Sequence, residues 1–163
     1  MKDVSGGSAA ELREMTGSRV AIHDGDAPAL SGETKLKEVK GILSHIFTLM
    51  SKIMKFRLVK PDLLLKEGDE IGGFRVTHTP GHTAGHICLY RPGNFLFAGD
   101  ALRSDKKGNP RAMSRVMTIN IGEAEESARR IAGLEFDILL PGHGTPVIHD
   151  TSKKVRQYWD RLI

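Results

Sequence analysis

Three places in this 163-residue chain set a metal-capable side chain beside glycine. His82 stands in TPGHTAGH, Asp100 in LFAGDAL and His143 in LLPGHGTP. Imidazole nitrogen and carboxylate oxygen together suit zinc, and also iron or manganese. A carboxylate has two oxygens, so Asp100 could bridge two ions. Two ions would hold a water, lower its pKa toward neutrality and polarise a carbonyl or phosphoryl group. Glycine lets the backbone turn sharply and keeps space open for an ion or substrate. Each fragment alone is a weak signal, because GH and GD arise by chance. The ordered set is far more specific.

Such residues converge only if strand ends on a rigid sheet carry them to one point. The pattern of apolar positions supplies those strands. LLL, FRVTH, HICLY and FLFAG are short apolar runs between Gly, Asp and Pro turns, and FDILLPGHG reads as a strand entering a glycine turn. Residues 8–16 read as a helix, with Ser8 and Glu11 as a capping box and Gly17 as its end. RVAIH, 19–23, reads as a strand, and DGDAPALSGE as a loop with room for one helical turn. Steps of three and four in apolar residues predict a helix over 35–56, with lysines on its polar face. GEAEESARRIAGL carries acids in its first turn, as a helix favours, and TSKKVRQYWDRLI reads as a closing helix. Residues 103–118 read as a long polar loop, with Arg103 a candidate to face substrate or simply solvent.

Composition bounds the class. Hydrophobic residues make up 39% and charged residues 27%, which fits one folded domain over 1–163 rather than a disordered chain. No apolar run is long enough for a membrane span, and the start lacks the apolar core of a secretory signal. The net charge of +4 is spread out, without basic runs interleaved with aromatics, so nucleic acid is not an expected partner. The 35–56 helix is expected to pack on a sheet or a second subunit rather than on a membrane surface. The single Cys88 excludes an internal disulfide and agrees with a reducing, cytoplasmic setting; in HICLY it reads as a small core residue rather than a catalytic thiol.

TPGHTAGH, LFAGDAL and LLPGHGTP, in this order and spacing, resemble the metallo-β-lactamase superfamily of metal-dependent hydrolases. PDLLLKEGDEIGGFRVTHTPGHTAGHICLY is similar to that family over its whole length, and the resemblance runs from about Gly6 to about Val147. It implies an α+β fold, an αβ/βα sandwich of two mixed sheets with helices outside and the site along one edge. It also implies that His82 binds a first metal, that Asp100 bridges both metals within the catalytic set, and that His143 binds the second. His78 and His86 do not match the family's ligand positions and read as supporting residues; His23, His45 and His149 have no motif context.

The family's H-x-H-x-D-H motif is expected just before Gly6-Gly7, where this chain has MKDVSGG. One register places Asp3 on the motif's Asp; neither register contains a histidine. The expectation is therefore an N-terminally truncated domain with one weak zinc site, against two in the complete family. Its activity on an ester, thioester, lactone or lactam-like bond of a small molecule should be low or absent. The alternative is a non-catalytic remnant serving as an oligomerisation or interaction module. In both cases an exposed sheet edge and apolar face would need a covering partner, such as a second copy of the chain.

Overall fold

A computed structural model describes residues 7–31 and 59–161. The predicted 35–56 helix, His45 and Asp3 lie outside the described residues. The chain divides into two compact units, Met1–Leu64 and Leu65–Ile163.

In the first unit, helix α1 (Gly7–Thr16) begins one residue before Ser8, which therefore lies inside the helix and not at its predicted cap. Gly17, at φ +66°, ends the helix by donating its N–H to Arg13 O at 2.9 Å. Strand β1 (Ala21–His23) pairs with β2 (Leu63–Leu65), and a 3₁₀ turn (Asp24–Asp26) leads into the one-turn helix α2 (Ala27–Leu30). Asp62 ties these pieces together: it pairs with Arg13 at 2.8 Å and accepts the Val20 N–H at 2.8 Å.

The second unit is built on a five-stranded sheet ordered β3 (Glu70–Ile71), β4 (Phe74–His78), β5 (Ile87–Arg91), β6 (Phe95–Gly99), β9 (Ile138–Pro141). Three antiparallel pairings are followed by one parallel pairing, β6 with β9. Strands β4, β6 and β9 consequently run in the same direction, and their C-terminal ends reach the same edge of the sheet. Alternation along the strands puts Cys88, Leu96, Ala98 and Leu139 on one face, where they form a buried core. Helices α3 (Ile121–Ala132) and α4 (Thr151–Asp160) contribute Ala124, Ala128, Ile131, Val155 and Trp159 to that core. Full burial of each large aliphatic side chain stabilises the fold by about 1.5–3 kcal/mol. Alanine at 124 and 128 keeps this face of α3 thin, so neighbouring backbone can approach it closely.

Residues 103–118 are not an open loop. They form most of a hairpin, β7 (Leu102–Ser104) with β8 (Pro110–Ala112), followed by a 3₁₀ turn (Arg115–Met117). Polarity concealed the hairpin, because it is held by its turn chemistry. The Asp105 carboxylate accepts the N–H groups of Lys107 and Asn109, the Asn109 side chain and Arg111. The Asn109 side-chain hydrogen bond leads the causes that lower the Asp105 pKa to about 2, followed by the bond from the Asn109 backbone. Arg103 faces Arg111 across this hairpin, and its Nε is buried with no partner among the described residues.

Candidate metal centre

The shared direction of β4, β6 and β9 gathers the three predicted ligands. Each lies just past the C-terminal end of one of these strands: His82 four residues beyond β4, Asp100 directly after β6, His143 two residues beyond β9. His82 Nε2 stands 3.5 Å from Asp100 Oδ2, and His143 Nε2 stands 3.5 Å from Asp100 Oδ1. The two imidazoles thus approach different oxygens of one carboxylate. Their side chains are 20%, 29% and 54% exposed for His82, Asp100 and His143, so the site opens to solvent on the His143 side.

Each of the three residues sits on a backbone held by its neighbours. The His82 loop folds onto the start of α3: Asn120 N–H donates to Gly81 O at 2.8 Å, Ile119 N–H to His82 O at 3.3 Å, and Ser127 Oγ to Pro80 O at 2.9 Å. Asn120 also caps α3 by accepting the Glu123 N–H, satisfying one of the helix's free donors. Gly81, at φ +122°, leaves no room for a side chain: a Cβ there would lie 2.2 Å from Ala124 N. Asp100 follows a break in the β6 register, where Gly99 adopts φ +50°. The Asp100 and His143 turns are joined directly, as Gly142 N–H donates to Gly99 O at 2.7 Å. Ser104 of β7 holds the other side of the His143 turn: its N–H donates to His143 O at 3.2 Å, and its hydroxyl donates to Thr145 O.

The remaining histidines do other things. His78 Nε2 is bonded to Ala84 O at 2.9 Å, and His78 O accepts from Arg130, so this residue ties the His82 loop to its strand and to α3. His86 Nδ1 lies 2.7 Å from Thr79 Oγ1, and its Nε2 accepts the Asp100 N–H at 3.1 Å. His23, in the chain's first unit, accepts the Gly25 N–H on its Nδ1 at the start of a 3₁₀ turn. His149 is exposed. Sequence reasoning set His78 and His86 aside as supporting residues, and it overlooked Ser104 and Asn120, for which only their position beside a turn gave a signal.

Each imidazole–carboxylate spacing suits two donors on one ion. A separation of 3.5 Å is too long for a strong hydrogen bond. It is close to the roughly 3.4 Å expected between two ligand atoms each about 2.1 Å from a tetrahedral metal. The His82 Nδ1 atom is buried with no hydrogen-bond partner among the described residues. Among the described residues no group of three or more His, Cys, Asp or Glu side chains is arranged around one point to hold an ion. Each imidazole–carboxylate pair by itself falls short of the three protein ligands usual at catalytic zinc.

A mixed sheet with helices on one face, carrying two histidines around an aspartate at its strand ends, defines the class of fold. Residues 6–143 match the sequence profile of the metallo-beta-lactamase superfamily, and the chain belongs to that superfamily. Human acyl-coenzyme A thioesterase MBLAC2 is 31% identical over 136 residues, covering 77% of this chain and 48% of that protein. The hydroxyacylglutathione hydrolase of Francisella tularensis subsp. novicida is 36% identical over 92 residues, covering 53% of this chain and 35% of that protein. Among solved structures, ST1585 of Sulfolobus tokodaii, a metallo-beta-lactamase superfamily protein, superposes with a TM-score of 0.68 at 22% identity, over 96% of this chain and 62% of the other. A di-iron-bound form of TTHA1623 gives a TM-score of 0.63 at 25% identity, over 92% and 69%. The chain thus spans less than half the length of the two relatives named. No described helix is long and apolar enough to cross a membrane.

Proposed function

We propose that this chain, residues 1–163 acting as one domain, supplies His82, Asp100 and His143 as ligands of a metal-dependent hydrolase acting on a small-molecule thioester or ester. The observation that carries the reading is the approach of two imidazole nitrogens to the two different oxygens of Asp100, each at 3.5 Å. The names of the thioesterase and hydrolase relatives favour a thioester over a lactam. Zinc is the first candidate ion, and the di-iron form of a structural relative keeps iron in contention. A bound metal would supply an activated water and polarise the scissile carbonyl. The chain's own residues do the positioning: Asp100 sets the spacing, and the α3 and β7 contacts hold the two histidines toward it. Asp3 lies outside the described residues and is the fourth ligand we propose. The single buried cysteine supports a cytoplasmic setting.

A second reading, a non-catalytic module, is favoured by one observation: among the described residues no ion would meet three ligands. Metal analysis after exhaustive dialysis, paired with a thiol-release assay on an acyl thioester, separates the two. The hydrolase reading expects bound zinc or iron at less than two ions per chain, a low level of thioester cleavage that stops on chelation, and loss of both in Asp100→Asn. Undiminished metal content in Asp100→Asn would overturn the ligand assignment. Bound metal without any thioester cleavage would favour the module.

A further inference from the structure

We propose that His86 is a positioning residue of the metal centre: it holds Asp100 by the backbone and binds no ion itself. The proposal rests on Asp100 being a ligand, as argued above. His82 and His86 stand four residues apart in sequence, and their rings meet edge to face with centroids 5.7 Å apart. The hydrogen bonds assign them different work. A backbone N–H can only donate, so the Asp100 N–H at 3.1 Å requires a lone pair on His86 Nε2. The neutral ring's proton then sits on Nδ1 and is donated to Thr79 Oγ1, 2.7 Å away. Thr79 is 1% exposed, and its hydroxyl proton is directed to His86 O or Cys88 Sγ, each 3.4 Å away. The one nitrogen that could ligate a metal is thus spent on the peptide of the bridging carboxylate.

The surrounding backbone is shaped to this contact. A Cβ on Gly99 would lie 2.6 Å from His86 Nε2, and Gly99 takes φ +50°. The imidazole therefore occupies the space where an ordinary residue before Asp100 would carry its side chain. The chain from Thr79 through His86 to Asp100 links β4, β5 and the turn after β6 in one line of hydrogen bonds. Its effect is to fix the direction in which the Asp100 carboxylate leaves the sheet edge, and hence the two 3.5 Å separations. Hydrogen bonds that orient a ligand in this way commonly govern metal affinity by about 10- to 100-fold.

Two measurements on the full chain test the assignment. In the metal-free protein, long-range proton–nitrogen NMR of the His86 ring should show the Nδ1–H tautomer, with the Asp100 amide protected from exchange. An Nε2–H tautomer overturns the proposal. The second is zinc affinity by competition with a chromogenic chelator, alongside thermal melts. His86→Gln keeps an acceptor near the Nε2 position and should stay within about threefold of wild type, whereas His86→Phe should weaken binding about 10- to 100-fold at a comparable melting temperature. Wild-type affinity in His86→Phe, or equal loss in both variants, overturns it. Should His86→Phe not fold, the tautomer and the His86→Gln affinity decide. A wild-type chain that binds no zinc would remove the metal reading of Asp100, and the tautomer would still decide what His86 holds.

Discussion

Asp100 and Cys88 lie twelve residues apart and show how differently two reactive side chains can be used. Asp100 stands at a strand end, partly exposed, with an imidazole toward each oxygen. Cys88 lies inside the sheet's core at 0% exposure, and burial pushes its thiol up to about 12, opposed by the Thr79 hydroxyl and Arg130. A neutral buried thiol is a poor nucleophile. Native protein at pH 8 should resist an alkylating reagent for hours and react fully once unfolded; rapid native alkylation would contradict the burial. The same shift has a consequence for stability. An unfolded thiol ionises near its ordinary value of 9.0, while the folded one stays protonated to about 12. Between those values only the unfolded chain has released the proton, so Cys88 makes the fold less stable as pH rises from about 9 toward 12. Denaturant melts of wild type and Cys88→Ala across that range should converge with rising pH, and parallel curves would refute it. At this scale His82, Asp100 and His143 were legible as candidates from residue type and neighbouring glycine. Ser104 was not, because its hydroxyl acts on Thr145, forty-one residues away.

At the scale of elements, the site depends on how closely a loop can approach a helix. Gly81 carries a positive φ and lies where a Cβ would strike the backbone of Ala124. The clash cannot yield without moving the start of α3, and the positive φ strains any side chain there. Gly81→Ala should therefore cost about 2 kcal/mol or more, in the range of overpacked or strained positions. Chemical denaturation measures it, and a loss below about 0.5 kcal/mol would show that the loop can move aside. Strands β4, β5, β6 and β9 were legible from their apolar runs, α3 from the acids in its first turn, and α4 as the closing helix. The β7–β8 hairpin was not, since a two-stranded ribbon with a charged Asx turn has no apolar period. It is recognisable only from the Asp105 bonds that close it.

At the scale of the whole molecule, the question is what meets the face of the sheet opposite α3 and α4. Pairing places Phe97 opposite Leu89 and Leu140, and Leu89 opposite Val76, so these apolar side chains share that face. Phe74 packs edge-on against Phe97 at 5.3 Å, yet Phe97 remains 41% exposed. The edges are better managed: β3 has only two residues, and Leu139 of β9 is bridged by Val147. We therefore expect the face, rather than an edge, to bring chains together as homo-oligomers. Light scattering should report a mass above 17.9 kDa, and Phe97→Glu should lower it toward the monomer. A monomeric wild type would exclude this.

By itself the sequence determined which residues could ligate a metal and which strands would carry them, because ligand chemistry and strand periodicity are local properties written in neighbouring residues. It also marked the superfamily through three ordered motifs. Only the tertiary structure decided that β4, β6 and β9 run in one direction, which is what brings His82, Asp100 and His143 to one edge. The sequence set His86 apart from His82 as a supporting residue, but only the structure showed what it supports. A ring nitrogen's role is set by the group it faces, and for His86 that group is a peptide N–H fourteen residues further along the chain.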